Sequence, residues 1–362
     1  MSSGLDVPAS ASPRTSHHPA CLRWMVNINR WHPSGEHDGP EFTFLLSLLP
    51  EHEREEVQRF RYMDDKKRAL CSRLMQRIAC AKVTNMGHNE IVLKRTKGRK
   101  PFLAWREMNG FVEDAVGKQS ETKQFLQHAP NFNFNVSHEG DFVVLVSEPV
   151  SIVGVDVAAP GQVRRKNNRD GKVPSVAEML DTFSNVLSSS EKQAIEHTGR
   201  TESDQAAEDL FRRHWSCKEA LTKAMGVGLA LDLASASFSF RALNESNESF
   251  EAFVSIDSVP KTKWRFRTEK VHGLDDDKNN DGSDTNPTHH WITTARGPSE
   301  DVVDAHGVFS QTWRLPGAGN SDDAFWQSIV NAPAPPFSNL TIGDLVPEEL
   351  KHLFEQAGGE VW

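Results

Sequence analysis

The segment Phe211-Arg-Arg-His-Trp-Ser-Cys-Lys-Glu-Ala-Leu-Thr-Lys223 brings Lys218, Glu219 and Lys223 close together in sequence. On a helix Glu219 and Lys223 are four apart and share a face, and Trp215, four before Glu219, lies beside them and can anchor that face in a core. A carboxylate and an ammonium are thus presented together. Taken alone, the pair also fits an ordinary exposed helix, where Glu before Lys at this spacing stabilises by about 0.2–0.5 kcal/mol. What sets it apart is the sequence upstream: Asn135-Val-Ser-His138, an apolar run, a turn, and a second apolar run, Ile152-Val-Gly-Val-Asp-Val157.

A hard cation such as Mg²⁺ takes one or two carboxylates and fills its octahedron with phosphate oxygens and waters. Asp156, near the end of a strand, and Glu219, on a helix, are the candidate pair; Asp156 alone also fits a carboxylate that satisfies nearby backbone. Arg73, Arg95, Lys97, Arg99 and Lys100 are the cations suited to neutralise a polyphosphate whose pyrophosphate the metal bridges, although charges in such clusters are often simply solvated. His138, in a Ser-His-Glu context, reads either as a phosphate donor or as a structural ring.

The elements that must position these residues are legible in outline. Residues 24–29 alternate like a first strand, and Pro50 before Glu51-His-Glu-Arg-Glu-Glu56 marks the acidic first turn of a helix. Over 65–81, Leu70, Leu74, Met75 and Ile78 fall at helical spacing, leaving Lys66, Lys67, Arg68, Arg73 and Arg77 on other faces. Lys94-Arg-Thr-Lys-Gly-Arg-Lys100, with Gly98 inside and Pro101 behind, describes a loop. The runs 142–146 and 152–157 predict a hairpin or adjacent strands. Helices are expected over 176–187, over 189–197, and around Trp215 up to Gly226-Val-Gly228; strands follow near 235–241, 250–256, 264–268 and 290–294.

This pattern predicts an α+β protein of two similar α/β lobes in a pseudo-twofold arrangement, although no sequence repeat is visible. The expected divisions are a disordered tail over 1–20, an N-terminal lobe over 21–154, and a C-terminal lobe over 155–300 with a disordered loop at 272–288. An irregular extension over 301–362 completes the chain.

At 362 residues and 37% hydrophobic content the chain can bury a sizeable core. Its net charge of −9 leaves no general footprint for nucleic acid, so an anionic ligand must meet a local basic patch. Four cysteines without a Cys-x-x-Cys pair read as reduced thiols, and with no apolar run long enough to span a bilayer the expectation is a cytoplasmic protein without membrane contact. No Gly-x-x-x-x-Gly-Lys-Ser/Thr loop cradles a nucleotide, Gly226-Val-Gly228 opens no dinucleotide-binding helix, no Gly-x-Ser-x-Gly elbow presents a nucleophile, and His/Cys zinc spacing is lacking.

Gly154-Val-Asp156, Trp215-Ser-Cys-Lys-Glu-Ala-Leu-Thr-Lys223, the Arg95–Pro101 loop, Phe134-Asn-Val-Ser-His138 and the helix bearing Arg73-Leu-Met together resemble the 4′-phosphopantetheinyl transferases in their long, two-lobed form. That form includes surfactin-synthetase activators and the animal-type aminoadipate-semialdehyde dehydrogenase phosphopantetheinyl transferases, and the likeness to the animal type is the closer. It runs from about residue 22 to 231 and weakly on to 290.

The resemblance implies a holo-[acyl-carrier-protein] synthase that moves the 4′-phosphopantetheine of coenzyme A onto a serine of an acyl or peptidyl carrier protein and releases adenosine 3′,5′-bisphosphate. It implies coenzyme A held by Arg73, by Arg95, Thr96, Lys97, Gly98, Arg99 and Lys100, and by Asn135, Val136, Ser137 and His138, the last near the 3′-phosphate. Asp156 and Glu219 would hold Mg²⁺ against the pyrophosphate. Lys223 would neutralise the leaving phosphate, and Glu219, directly or through a bound water, would accept the serine proton.

Many bacterial relatives carry a second acidic residue two positions after the aspartate; here Ala158 stands there, as an apolar residue does in the animal type, so a third metal ligand falls to Glu139, directly or through a water, or Glu139 is simply a surface glutamate. The length and two lobes suggest a monomer with its site between them. A non-catalytic carrier-protein or nucleotide-binding module of the same fold is the competing reading, and an enzyme using a nucleoside triphosphate a third.

Overall fold

The computed structural model describes residues 18–108, 121–161, 175–273, 289–314 and 323–360. Most of the tail expected over 1–20 and the loop expected over 272–288 fall at 1–17 and 274–288, outside the described residues.

The predicted first strand is β1 (Arg23–Asn27). Two short helices, α1 (Pro40–Ser47) and α2 (Glu51–Gln58), follow it, and then the long basic helix α3 (Met63–Thr84). Leu70, Leu74 and Met75 of α3 bury against Phe134 and Leu145, so the apolar face read from sequence is the one that meets the sheet. The Lys94–Lys100 loop is the turn of a small hairpin, β2 (Leu93–Arg95) with β3 (Pro101–Leu103). After α4 (Glu121–His128), β4 (Asn133–Glu139) and β5 (Phe142–Glu148) pair antiparallel, and β5 pairs with β1.

The second sheet opens with β6 (Ile152–Ala158), so the division drawn between residues 154 and 155 falls inside a strand. It continues through α5 (Val176–Thr182), α6 (Ser189–Thr201) and α7 (Asp204–Met225) to β7 (Ala236–Ala242), β8 (Ser249–Ile256), β9 (Val259–Pro260), β10 (Arg265–Val271) and β11 (His290–Gly297). The strand order is β6-β11-β10-β8-β7, with β9 on β8. Each lobe is thus a mainly antiparallel sheet backed by one long helix, α3 or α7.

Two readings need correction. β5 and β6 are not a hairpin: β5 turns back on β4, and β6 crosses to the other sheet. Their shared apolar content reflects burial of both strands between the lobes, where Val144, Val146, Val153, Val155 and Val157 form one cluster. The chain beyond 301 is not simply irregular either. After α8 (Asp323–Asn331), β12 (Ser338–Asn339) pairs parallel with β1, and α9 (Lys351–Gln356) follows. Ile342, Leu345, Val346 and Phe354 lie in the first lobe's core. The segment covers what would otherwise be the open edge of β1, a pairing that its short and widely spaced apolar groups do not announce.

The lobes are joined by a seam of side chains. β6 is an edge strand whose outward amides face β4, and three alternate residues of β4 accept from them. The amides of Val153, Val155 and Val157 donate to Asn133 Oδ1 at 2.9 Å, Asn135 Oδ1 at 2.8 Å and Ser137 Oγ at 3.3 Å. Buried amides must find acceptors, and here side chains spaced two apart replace a neighbouring strand's carbonyls. On its other side β6 lies so close to α7 that a Cβ at Gly154 would sit 2.1 Å from Ala220 O and 2.5 Å from Ala224 N.

Two substitutions test this junction. Asn135→Ala strands the Val155 amide and lowers unfolding free energy by about 1–3 kcal/mol, read from urea melts; an unchanged midpoint would show that the seam contributes nothing. Gly154→Ala forces α7 off β6 and destabilises by about 1–3 kcal/mol or more, with activity lost in the fraction that still folds.

Candidate active site

The seam ends at the residues singled out for chemistry. Asp156 is carried inward by β6, Ser137 by β4, and Lys223 by the last turn of α7, where the helix dipole favours a cation. Ser203 caps α7 at its start, accepting from the amide of Ala206, and Gly226 at φ 73° ends it. Lys223 Nζ donates to Asp156 Oδ1 at 2.5 Å and to Ser137 Oγ at 2.9 Å, and Ser137 Oγ donates to Asp156 Oδ1 at 3.2 Å.

Asp156 Oδ2 is buried and has no hydrogen-bond partner among the described residues. Burial raises the Asp156 pKa to about 6; Lys223 opposes the rise and the carboxylate of Glu219 adds to it. Glu219 is half-buried one turn before Lys223 on α7. Two carboxylates thus lie within electrostatic reach of each other beside a single ammonium, and one carboxylate oxygen has no partner among the described residues.

That surplus fits a divalent cation, and Asp156 and Glu219 are the residues to hold it. Among the described residues no group of three or more His, Cys, Asp or Glu side chains could hold a metal ion. Glu139, nominated as a third ligand, is therefore not gathered with the other two: it lies at the end of β4 opposite Phe142, next to the hairpin turn. The two protein carboxylates leave the remaining positions to ligand oxygens and waters, as Mg²⁺ commonly accepts.

Around this centre stands a cationic rim. His138, one residue past Ser137, is exposed to solvent, yet desolvation and the neighbouring Lys223, Arg68 and Arg73 lower its pKa to about 4. It is neutral at pH 7, so it meets an incoming anion as a hydrogen-bond donor first and as a cation only if that anion raises its pKa. Arg73 bonds Ala69 O at 3.0 Å and Glu56 Oε2 at 2.6 Å. Arg95 lies in the same group, its pKa lowered by desolvation and by Arg73. Lys97 and Arg99 are exposed on the hairpin turn.

Not every predicted ligand faces outward. Lys100 is buried, with its pKa lowered to about 7 by desolvation, and its Nζ donates to Val153 O at 2.7 Å and Lys223 O at 3.1 Å. It is a brace from the basic hairpin to β6 and the end of α7 rather than a free cation. Thr96 is buried and its Oγ1 accepts from the Lys100 amide at 3.2 Å. Gly98 passes so close to Gly226 that a Cβ would stand 1.8 Å from its carbonyl oxygen. Asn135 is occupied by the seam, and Val136 packs on the first lobe's core. These residues hold the rim in place; Arg73, Arg95, Lys97, Arg99 and His138 present it.

Lys218, prominent in the sequence, is buried on Glu191 at 2.8 Å and on Leu233 O at 2.8 Å, and His214 reaches the same carboxylate at 3.2 Å. Its charge is spent inside the second lobe. Arg68 is the site residue that sequence reasoning passed over: its Nη1 donates to Gly140 O at 2.6 Å, tying α3 to the β4–β5 turn beside His138. Its place five residues before Arg73 on α3 was the available signal. Burial pushes the Cys71 and Cys217 thiols up to about 12, so neither offers a thiolate.

The buried carboxylate gives a stability test with a definite sign. Asp156 has a folded pKa near 6 against 3.8 for the free group, so charging it weakens the metal-free fold as pH rises through that window. Asp156→Asn removes this penalty. The variant should unfold at higher temperature than wild type above about pH 6, by an amount on the order of 2 kcal/mol, with the gap closing below about pH 4. A variant less stable at pH 8 would contradict the assignment.

Comparison with known proteins agrees with this geometry. A family model described as 4′-phosphopantetheinyl transferase, N-terminal, matches residues 29–150, and that of the 4′-phosphopantetheinyl transferase superfamily matches 152–281. The two meet where β6 begins. The chain is 29% identical over 253 residues to L-aminoadipate-semialdehyde dehydrogenase-phosphopantetheinyl transferase of Mus musculus, covering 69% of this chain and 71% of that protein. It is 31% identical over 256 residues to a phosphopantetheinyl transferase of Thraustochytrium, covering 70% and 76%. With both lobes matched and the Asp156–Lys223–Glu219 group standing where they join, the chain belongs to the 4′-phosphopantetheinyl transferase family.

Proposed function

We propose that the protein transfers 4′-phosphopantetheine from coenzyme A to a serine hydroxyl of an acyl or peptidyl carrier protein, releasing adenosine 3′,5′-bisphosphate, and that it requires Mg²⁺ to do so. The observation that carries the reading is the grouping of Asp156, Glu219 and Lys223 at the lobe junction, with one buried carboxylate oxygen unpartnered among the described residues and cations nearby.

The reaction is attack by a neutral alcohol on a phosphoanhydride. The serine oxygen forms a bond to the phosphorus that carries pantetheine, and the bond from that phosphorus to the departing bisphosphate breaks. The site must accept the serine proton and offset charge growing on the leaving group. Mg²⁺ held by Asp156 and Glu219 would supply electrostatic neutralisation of the pyrophosphate. Lys223 is fixed by Asp156 and Ser137, so its ammonium is already oriented before any substrate arrives. Glu219, with no fixed partner among the described residues, is the group placed to take the proton. Arg73, Arg95, Lys97, Arg99 and His138 receive the phosphates of the nucleotide end.

The same reading makes the protein a monomer, since both halves of the site come from one chain. It places it in the cytoplasm, a choice that the buried thiols Cys71, Cys80 and Cys217 suit. Among the described residues no helix is long and apolar enough to cross a membrane. The relatives' names point to an L-aminoadipate-semialdehyde dehydrogenase as one carrier-bearing target.

The test is intact mass spectrometry of an apo acyl carrier protein incubated with the protein and coenzyme A, with Mg²⁺ and with a chelator. A chelator-sensitive gain of one phosphopantetheine arm is expected. Coenzyme A binding without transfer to any of several carriers would favour the non-catalytic module, and binding of ATP in its place a nucleotide-dependent enzyme. Glu219→Ala and Lys223→Ala should each reduce kcat by about 100-fold or more while circular dichroism stays native; near-normal turnover in either would remove that residue from the mechanism.

A further inference from the structure

Arg73 is a predicted phosphate ligand whose guanidinium already has hydrogen-bond partners within the protein. Nη1 is committed to Ala69 O, Nε is buried with no partner among the described residues, and Nη2 points out of α3 into the carboxylate of Glu56 at 2.6 Å. Glu56 projects from α2 and its side chain is about half exposed, at 49%, whereas that of Arg73 is 15% exposed. The carboxylate therefore occupies Nη2 of a largely buried guanidinium.

A second cation shares this anion. Arg95, on the basic hairpin, is within electrostatic reach of both groups: Arg73 disfavours its charge, and Glu56, with a smaller contribution from Glu53, favours it. Glu56 in turn is held below the usual carboxylate range by its hydrogen bond to Arg73, with Arg95 adding to the effect, and stays ionised at neutral pH. The neighbouring acid of α2, Glu53, has a hydrogen-bonded partner of its own: Arg77 donates to it from Nη2 at 2.9 Å and from Nε at 3.1 Å, along one guanidinium edge. Glu56 is thus the acid of α2 that is hydrogen-bonded to Arg73.

We propose that Glu56 is an internal counter-anion that occupies the phosphate position of Arg73 and Arg95 in the ligand-free protein and is displaced by a ligand phosphate. This rests on the reading of Arg73 and Arg95 as phosphate ligands given above. Two guanidiniums that must receive a phosphate repel each other while they wait, and an exposed carboxylate on a neighbouring helix relieves that repulsion and swings away at the cost of one partly solvated ion pair. It also competes with the product, and so favours departure of adenosine 3′,5′-bisphosphate after transfer.

The experiment measures adenosine 3′,5′-bisphosphate binding by calorimetry, together with thermal unfolding of the free protein, for wild type, Glu56→Gln and Arg73→Gln at low and high salt. Glu56→Gln keeps the shape and removes the charge. It should bind the bisphosphate about two- to fivefold tighter at low salt, the range expected for losing a competing exposed ion pair, while the free protein melts no higher than wild type. The advantage should shrink at high salt, where the ion pair is already screened. The KM for coenzyme A should fall in parallel. A role confined to holding α2 on α3 would lower the melting temperature and leave binding equal or weaker, and that result would overturn the proposal. If Arg73→Gln weakens binding while Glu56→Gln does not tighten it, the counter-anion role alone fails. If Arg73→Gln binds as wild type does, Arg73 is not a phosphate ligand and both assignments fall.

Discussion

The structure turns on three hydrogen bonds between a strand's amides and another strand's side chains. β6 belongs to the second sheet, yet its free edge is satisfied by Asn133, Asn135 and Ser137 of the first. A backbone ladder there would have fused the two sheets and buried the junction completely. Side chains acting as acceptors hold the lobes in register and let the row end in a hydroxyl, Ser137, that also belongs to the site. Register along the seam and position of Asp156 are thus one and the same constraint, because Asp156 lies between two of the three satisfied amides.

The opposite flank of β6 is fixed as tightly. Gly154 admits α7 to within contact of the strand, so that Lys223 reaches Asp156 and Ser137. Lys100 then pins the basic hairpin to Val153 and to the carbonyl of Lys223. Three segments distant in sequence are tied to one strand, and the exposed cations stand on the tied segments. Pre-oriented charge of this kind needs little rearrangement when a polyphosphate arrives. The cost is a buried carboxylate with one oxygen unpaired among the described residues, an arrangement that functional sites keep and cores avoid.

Much of this was legible in the sequence, and the boundary of legibility has physical causes. The helix carrying Glu219 and Lys223, the basic helix and the strand bearing Asp156 follow from local periodicity. The roles of Asn135 and Lys100 do not, because both depend on a partner strand that spacing cannot name. A lysine in a basic loop reads as a ligand whether its ammonium faces solvent or, as here, two carbonyls. Lys218 misleads in the same way, its partner Glu191 lying on another helix. The return of the chain to β1 through Ser338 and Asn339 escapes notice because a two-residue strand carries no pattern. Glu139 shows the converse: strand alternation puts it on the face of Ser137, yet among the described residues it is not gathered with Asp156 and Glu219 into a group of three ligands.

The central claim is that Asp156 and Glu219 form a cation site shared with the pyrophosphate of coenzyme A. The most direct measurement is calorimetric titration of coenzyme A with and without Mg²⁺, in wild type and in Asp156→Asn. Linkage requires that cation and ligand strengthen each other's binding by the same factor. The account predicts a clear Mg²⁺-dependent gain in coenzyme A affinity for wild type that disappears in the variant. Equal affinity with and without Mg²⁺ in wild type, or a gain that survives Asp156→Asn, would contradict it.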